Sequence, residues 1–150
     1  WRYGWKEEIQ SFSQAYDNLD LDSSLLLMEA YGFLQADDIR YHKTVKAVQK
    51  ELLHNGLMTG KTRTMILVIR RLHLPPDMLA DSALFVIGEK DEARALFDEV
   101  LKCTNHVGLL SEDIHFETKE LLGNFPQAYS HLAIINTAIL FSEERKQLFF

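Results

Sequence analysis

The sequence predicts an all-α fold in which helices that are apolar on most sides alternate with helices that are apolar on one side. Apolar residues fill most of 25–34, 78–87 and 127–141, whereas the segments after Asp38 and after Glu89 repeat apolar residues at helical spacing. Short turns between these segments favour antiparallel helical pairs. We therefore expect about three helical hairpins with inner and outer members, forming either part of an α/α toroid or an irregular bundle; the pattern alone favours the two equally.

The first pair of helices is marked by acidic residues at its starts. Asp22 is a good N-cap, because its carboxylate can accept hydrogen bonds from the first N–H groups of a helix, and the apolar run 25–34 covers every face of that helix. The Asp37–Asp38 pair predicts the start of a second helix, and the Asn55–Gly56 pair predicts its end. The inward face of this second helix consists of Tyr41, Val45, Val48 and Leu52.

The later helices follow the same alternation. Residues 78–87 are mostly apolar and end at Gly88, and residues 127–141 are apolar almost all round, with Pro126 predicted at the first helical position. Between them, residues 90–104 carry an apolar stripe at helical spacing, formed by Ala93, Leu96, Phe97, Val100 and Leu101.

The segment 59–77 breaks this order and gives no local assignment. Met65–Ile69 could form a short strand, and Pro75–Pro76 is expected to stop any helix. Arg70–Arg71 could hold a phosphate or carboxylate, but a charged surface turn is the favoured interpretation.

Composition narrows the function classes. The 150 residues suffice for one domain with its own core, and 25% charged residues are usual for a globular protein. The net charge of −6 argues against nucleic acids and anionic membranes as partners. No run reaches the roughly 18 apolar residues of a membrane span. Cys103 is the single cysteine and no secretory signal is visible, so we expect a cytoplasmic protein. The sequence opens on Trp1 and not on Met, so we expect its natural start upstream.

The sharpest candidate site is the acidic pair Glu112–Asp113, on a polar loop that leads through a Gly-Asn-Phe-Pro turn into the last apolar helix. One carboxylate could activate a water molecule there. A solvated acidic loop is the alternative, and the residues alone favour it. Neighbours in an extended loop point opposite ways, so only one of the two is expected to face a pocket.

Metal binding and nucleophilic catalysis are not expected. The spacing of His115 and His131 matches no usual ligand motif, so we predict neither a metal nor a cofactor; His131 is expected to be hydrogen-bonded in the core or to line a polar pocket. Ser130 lacks the Gly-x-Ser-x-Gly elbow of hydrolases. The aromatic-rich start could stack on sugars or join the core; its members are Trp1, Tyr3, Trp5, Phe12 and Tyr16.

Three segments resemble one known family. Residues 108–140, which include LLSED and GNFPQAYSHLA, closely resemble the C-terminal end of bacterial glucoamylase- and trehalase-like enzymes of glycoside hydrolase family 15. Residues 19–52 and 87–101 resemble earlier parts of the same catalytic domain, in the family's order and at roughly its spacing.

This resemblance implies a fold, an activity and site residues. The family fold is an (α/α)₆ toroid whose pocket lies at the N-terminal ends of the inner helices, and its members hydrolyse α-glucosides with inversion. Glu112 matches the family's general base, the Glu after Leu-Leu-Ser. The further candidates for the substrate pocket are Asp22, Asp113, Gln127 and His131.

Two departures from the family pattern bear on activity. The general acid belongs to a motif that lies before this region, and Glu7 and Glu8 do not fit it, so we expect residues 1–150 to be the C-terminal portion of a longer domain. Residues 61–78 do not follow the family, which fits the hypothesis of a shifted reading frame. We therefore expect little activity from this chain alone, and self-association through inner helices that lack their partners.

Two other functions stay open at this point. A non-catalytic helical interaction module is the main alternative, since residues 91–97 resemble the second helix of a tetratricopeptide repeat. That motif occurs once, whereas a repeat protein should show it several times. A different α/α toroid enzyme is the third, although the Asp-rich motifs of the cyclases are missing.

Overall fold

A computed structural model describes residues 3–59, 76–115 and 117–147, and the chain is mostly helical there. A 3₁₀ helix at Ser23–Met28 precedes four α-helices: α1 (Ile39–Leu52), α2 (Pro76–Val86), α3 (Lys90–Lys102) and α4 (Ala128–Gln147). Within the same ranges, three antiparallel ladders of two residues a strand connect them: β1 (Trp5–Lys6) with β2 (Ser11–Phe12), β3 (Leu53–His54) with β4 (Leu57–Met58), and β5 (Asp113–Ile114) with β6 (Leu121–Leu122). The helical class is thus confirmed, and the ladders are additions that helical periodicity could not predict.

Helix α1 forms as its sequence pattern predicts. The Asp38 carboxylate accepts a hydrogen bond from Arg40 N at 2.8 Å and caps the helix. The Tyr41 hydroxyl donates to Leu26 O at 2.8 Å, which ties α1 to the 3₁₀ helix, and burial raises the pKa of Tyr41. The buried side chains of α1 are the four predicted ones together with Thr44.

The Asn55–Gly56 pair has a different role from the predicted helix end. Helix α1 ends at Leu52, and the pair forms the turn between β3 and β4, with positive φ at both residues (51° and 72°). Two successive positive φ angles match the twist of a two-residue hairpin, and Asn-Gly is the sequence that best tolerates them.

The first predicted inner helix is much shorter than the apolar run 25–34. Asp22 does cap it, since Asp22 Oδ1 accepts from Ser24 N at 2.9 Å, but only Ser23–Met28 is helical and in 3₁₀ form. The prediction that this segment is buried on most sides is wrong at its end, where Tyr31 and Phe33 are 80% and 51% exposed. The reason is Gly32: its φ of 69° lets the chain turn back, with Phe33 N donating to Met28 O at 2.8 Å.

Helices α2 and α3 form the predicted second pair. Gly88, with φ 95°, ends α2, and Glu89 N donates to Leu84 O at 2.9 Å across this turn. Helix α2 begins at Pro76, in keeping with the tolerance of proline in the first helical turn. The expectation that Pro75–Pro76 stops a preceding helix concerns residues 60–75, which lie outside the described residues. Helix α3 ends at Lys102, two residues before the predicted end, and buries Ala93, Phe97 and Val100.

The core lies between these helices. The 3₁₀ helix packs against α1 and α2, and α2 packs against α3 and α4. Three phenylalanine rings join the last three helices: the Phe141 centroid lies 4.8 Å from that of Phe85 and 5.3 Å from that of Phe97. The Arg94 guanidinium covers the Phe141 ring at 5.2 Å from its centroid.

Helix α4 is buried on one face only, which corrects the expectation of an all-round buried helix. Its buried residues include Ser130, Ala133, Thr137 and Phe141. The opposite face presents large apolar side chains that are 49–54% exposed, namely Tyr129, Leu132, Ile135 and Ile139; we call these four residues the outer face of α4.

The predicted start of α4 at Pro126 is also wrong. The helix begins at Ala128, and the Phe125–Pro126 peptide bond is cis.

Several sequence features lie outside the described residues, namely Trp1, Met65–Ile69 and Arg70–Arg71. Cys103 is half-buried, and its thiol donates a hydrogen bond to Glu99 O at 3.4 Å. Within the described ranges, no helix has both the length and the continuous apolar character needed to cross a bilayer.

Candidate active site

The loop that carries Glu112 is a closed hairpin. Strand β5 pairs with β6 so that Asp113 faces Leu122 and Ile114 faces Leu121. Ser111 closes its base: its hydroxyl donates to Asp113 O and accepts from Leu122 N at 3.1 Å. Glu112 is therefore held directly across from the turn that follows β6.

Main-chain and side-chain hydrogen bonds attach this hairpin to the start of α4. Gln127 N donates to Leu110 O at 2.9 Å, Leu110 N donates to His131 Nε2 at 3.3 Å, and Ser130 Oγ donates to Ser111 O at 2.7 Å. Leu110, Ser111 and Ser130 are buried, so these bonds are shielded from competing water. The two residues before Glu112 are thus fixed to the helix.

The His131 ring completes this attachment. The Leu110 N–H can only donate, so Nε2 must accept, and Nδ1 then carries the proton that it donates to Gln127 O at 2.7 Å. The neutral ring with its proton on Nδ1 satisfies both bonds. This confirms the expectation that His131 is hydrogen-bonded within the protein.

Glu112 is half-buried and makes two hydrogen bonds with one residue. Its N–H donates to Asn124 O at 2.8 Å, and its Oε2 accepts from Asn124 N at 3.2 Å. Among the described residues, none donates a hydrogen bond to Oε1. The arrangement fixes one carboxylate oxygen and leaves the other available to a water molecule.

Gly123 makes room for that carboxylate. A Cβ built at Gly123 would lie 3.0 Å from both Cβ and Oε2 of Glu112, and the residue has a φ of 77°. Both facts favour glycine, since L side chains rarely adopt this conformation and the added carbon would push the Glu112 side chain aside by a few tenths of an ångström. Sequence reasoning missed Gly123 and Asn124 as site residues; the Gly-Asn pair directly before Phe-Pro was the available signal.

The remaining candidates occupy different positions. Asp113 is half-buried in β5 beside Glu112, and Gln127 contributes its main chain to the attachment of the hairpin. Asp22 is buried at the start of the 3₁₀ helix, an element that packs on α1 and α2. The hairpin thus brings together Glu112, Asp113, Gln127 and His131, whereas Asp22 belongs to another element.

His115 closes the tip of the same hairpin. Its ring Nδ1 accepts from Thr118 N at 3.2 Å, and its main-chain N–H donates to Glu120 O at 2.9 Å. Across the parts of the chain that the structure describes, no group of three or more His, Cys, Asp or Glu residues is placed to hold a metal ion.

The aromatic start divides between core and surface. Phe12 is buried and its ring meets Trp5 edge-on at 5.4 Å between centroids. Tyr3 and Tyr16 are exposed, with their ring centroids 6.4 Å apart. Core packing therefore accounts for Phe12.

A groove of about 440 Å³ lies between α3 and α4, away from the candidate residues. Its lining consists of Arg94, Phe97, Asp98, Ala138, Phe141 and Ser142. None of the predicted site residues is among these, so this groove does not correspond to the predicted pocket.

The chain is similar to trehalases. It is 32% identical to a trehalase of Thermoplasma acidophilum over 147 residues, which cover 90% of this chain and 24% of the relative. It is 36% identical to the Mycobacterium tuberculosis trehalase over 142 residues, which cover 85% of this chain and 19% of the relative. It is 37% identical to the Mycolicibacterium smegmatis trehalase over 141 residues, which cover 85% of this chain and 20% of the relative. The chain thus spans about a quarter or less of these relatives. No protein-family model and no solved structure matches it.

Proposed function

We propose that this chain is the C-terminal portion of a trehalase-like catalytic domain of glycoside hydrolase family 15, and that the whole protein hydrolyses α-glucosides such as trehalose. The observation that carries the proposal is the similarity to curated trehalases over 85–90% of the chain. The LLSED and GNFPQAYSHLA motifs, which resemble trehalase-like enzymes, form the hairpin and helix start that hold Glu112.

In this proposal Glu112 is the general base of an inverting hydrolysis. Asn124 N–H holds Oε2, and Oε1 takes a proton from a water molecule as the water oxygen bonds to the anomeric carbon. The bond from that carbon to the glycosidic oxygen breaks, and a general acid elsewhere in the protein protonates the leaving oxygen. Inversion requires the two carboxyl groups to stand about 6.5–9.5 Å apart, with the water between Glu112 and the sugar.

The other candidates are assigned to the pocket that surrounds this base. Asp113 and Gln127 flank Glu112 and the start of α4, where polar groups could bind sugar hydroxyls. His131 is proposed to hold the hairpin, because both of its ring nitrogens are engaged by main-chain groups. Asp22 caps the 3₁₀ helix at the end where the toroid would place its pocket. The helical hairpins are proposed to be consecutive members of an (α/α)₆ ring.

The outer face of α4 supports the proposal that the isolated chain self-associates. Four large apolar side chains are about half exposed there, and such a surface favours association with another apolar surface. In a complete ring the surface would be covered by neighbouring inner helices. The isolated chain is proposed to self-associate through it and to be inactive, because the general acid is supplied from outside residues 1–150. The same face favours the alternative of a helical interaction module.

The cytoplasmic location stays a prediction.

A segment exchange tests the catalytic proposal. The segment of the Mycolicibacterium smegmatis trehalase that aligns with residues 79–147 is replaced by these residues, which leaves out the departing segment 61–78, and glucose release from trehalose is measured. We expect activity in this chimera and a loss of about 10²–10⁴-fold in kcat for Glu112→Gln, the usual contribution of a general base. Glu117→Gln, on the exposed tip of the same hairpin, is the matched control and should leave kcat unchanged.

Two outcomes would contradict this assignment. Near-normal turnover of Glu112→Gln would remove the residue from the role of base. Proton NMR of the first product identifies its anomer, and initial release of α-glucose only would exclude inversion at the scissile bond of an α-glucoside. An inactive chimera that still folds would favour the interaction module.

A further inference from the structure

Glu112 and Asn124 form a reciprocal pair of hydrogen bonds. The Glu112 N–H donates to Asn124 O at 2.8 Å, and the Asn124 N–H donates back to the Glu112 carboxylate at 3.2 Å. Asn124 uses only main-chain atoms for both contacts, so it holds Oε2 through its backbone and not through its side chain. A carboxylate held by one main-chain N–H loses rotational freedom that a solvated glutamate would keep.

Gly123 adds a steric limit to the same carboxylate. The position that a Cβ would take is 3.0 Å from Glu112 Oε2 and 3.5 Å from Cδ, so the carboxyl group occupies the space that a side chain at 123 would need. The carboxylate therefore lies against the glycine backbone on one side and accepts from Asn124 N on the other.

Hydrogen bonds of Ser111 fix the chain on both sides of this pair. Leu122 N donates to Ser111 Oγ at 3.1 Å, and Ser130 Oγ donates to Ser111 O at 2.7 Å, so the chain on both sides of the pair is tied through Ser111 to α4. A base that must be positioned to within a fraction of an ångström needs such a support.

We infer that Gly123 and Asn124 are positioning residues for Glu112: their backbone holds Oε2 against the turn after β6 and thereby leaves Oε1 for the attacking water. The inference rests on the proposed role of Glu112 as the base. It assigns a function to two residues that never touch the substrate in this scheme. Because the contacts of Asn124 are main-chain contacts, its side chain is free to vary, whereas Gly123 is not.

Gly108 supplies a matched control. Its φ of 78° is nearly that of Gly123, and a Cβ added there meets nothing within 4 Å. Gly108→Ala and Gly123→Ala therefore carry the same backbone strain, and only Gly123→Ala collides with Glu112. A difference between the two variants reports the contact with the carboxylate.

The first measurement uses the ¹⁵N-labelled chain and follows the Asn124 amide proton by NMR while the carboxyl groups are titrated. We expect its chemical shift to follow a carboxyl titration in the native chain and in Gly108→Ala, and to stay flat in Glu112→Gln. Gly123→Ala should reduce the response by more than half. If that variant does not fold, Glu112→Asp replaces it, because a side chain one methylene shorter no longer reaches Asn124 N. An Asn124 amide that responds equally in Glu112→Gln and in the native chain overturns the inference.

The second measurement uses the trehalase chimera. We expect Gly123→Ala to lower kcat measurably, by up to about 10²-fold, the cost of a misplacement near 1 Å, with KM changed by less than about twofold, while Gly108→Ala leaves both constants unchanged. Equal kcat losses in the two glycine variants, with Glu112→Gln inactive, would refute positioning and leave the base assignment intact. A different pair of results would refute the proposed role of Glu112 as the base. The Glu112→Gln chimera would be active, while in the native chain the Asn124 amide would still respond to the Glu112 carboxyl.

Discussion

Helices α1 and α4 use their faces in opposite ways. Helix α1 buries large apolar side chains, among them Tyr41 and Leu52, and turns its lysines outward. Helix α4 buries Ser130 and Thr137 beside Ala133 and Phe141, and it turns Leu132, Ile135 and Ile139 to the surface. The first arrangement stabilises a fold through the burial of apolar area, whereas the second leaves much of that area exposed.

The buried hydroxyls explain what α4 does with its inner face. Ser130 Oγ donates to Ser111 O at 2.7 Å, and the hydroxyls of Thr137 and Ser82 are 3.1 Å apart. These contacts hold the hairpin and α2 against the helix by polar bonds that have direction and fixed length. Helix α4 therefore supports the candidate site on one side and presents a half-exposed apolar surface on the other.

Two leucines, one from each helix, make the comparison quantitative. Leu52 on α1 is buried and Leu132 on α4 is half exposed. Leu52→Ala should lower the free energy of unfolding by about 2–5 kcal/mol, because it leaves a cavity in the core, and Leu132→Ala by less than about 1 kcal/mol. Urea unfolding followed by circular dichroism measures both values. Equal losses would mean that α4 contributes its outer face to the core of the isolated chain.

The outer face of α4 should control association. Introducing charge with the double substitution Ile135→Lys and Ile139→Lys should weaken self-association at least tenfold, or about 1.4 kcal/mol. Association would bury both isoleucines, and full burial of one such side chain contributes about 1.5–3 kcal/mol. Ile39→Lys on α1, which changes an isoleucine that is also exposed, is the control and should leave the association constant unchanged. Sedimentation velocity over a range of chain concentrations measures this constant. A native chain that stays monomeric throughout would rule out self-association by α4.

The same two helices show what sequence pattern can and cannot predict. The polar residues of α1 leave only one face that can be buried, so periodicity and the Asp38 cap predicted both the helix and its core residues. Helix α4 is apolar almost all round, so its pattern fixes a helix but not the buried face. Which side is covered depends on α2 and the hairpin, and no local pattern contains that information.

The candidate site shows the same limit. Residue types alone favoured a solvated acidic loop, and the family resemblance singled out Glu112. The roles of Gly123 and Asn124 depend on the register of β5 and β6, and strands of two residues are too short for an alternation of apolar and polar residues to reveal them. Turn residues predicted element boundaries better than strand alternation did. Gly32 is the exception, because it lies within the apolar run 25–34 and was therefore assigned to the helix.

The starts of the two helices provide the last and smallest test. Helix α1 begins with a side-chain cap, Asp38, whereas the start of α4 is held by the hairpin through Gln127 and His131. A side-chain cap can be removed by one substitution. Asp38→Ala should lower the free energy of unfolding by about 1 kcal/mol, whereas Asp37→Ala, the exposed neighbour, should change it by less than about 0.5 kcal/mol.

The effect of Asp38 should also depend on pH in a defined direction. The side-chain hydrogen bond from Arg40, followed by that from its main-chain N–H, lowers the pKa of Asp38. A carboxyl whose pKa is lowered on folding stabilises the protein above its unfolded pKa of about 3.9 and loses this contribution as the pH falls through the folded value. Asp38→Asn keeps the cap but cannot ionise, so its free energy of unfolding should approach that of the native chain as the pH falls. A constant difference between the two chains from pH 7 down to acid pH would show that the charge of Asp38 contributes nothing to α1.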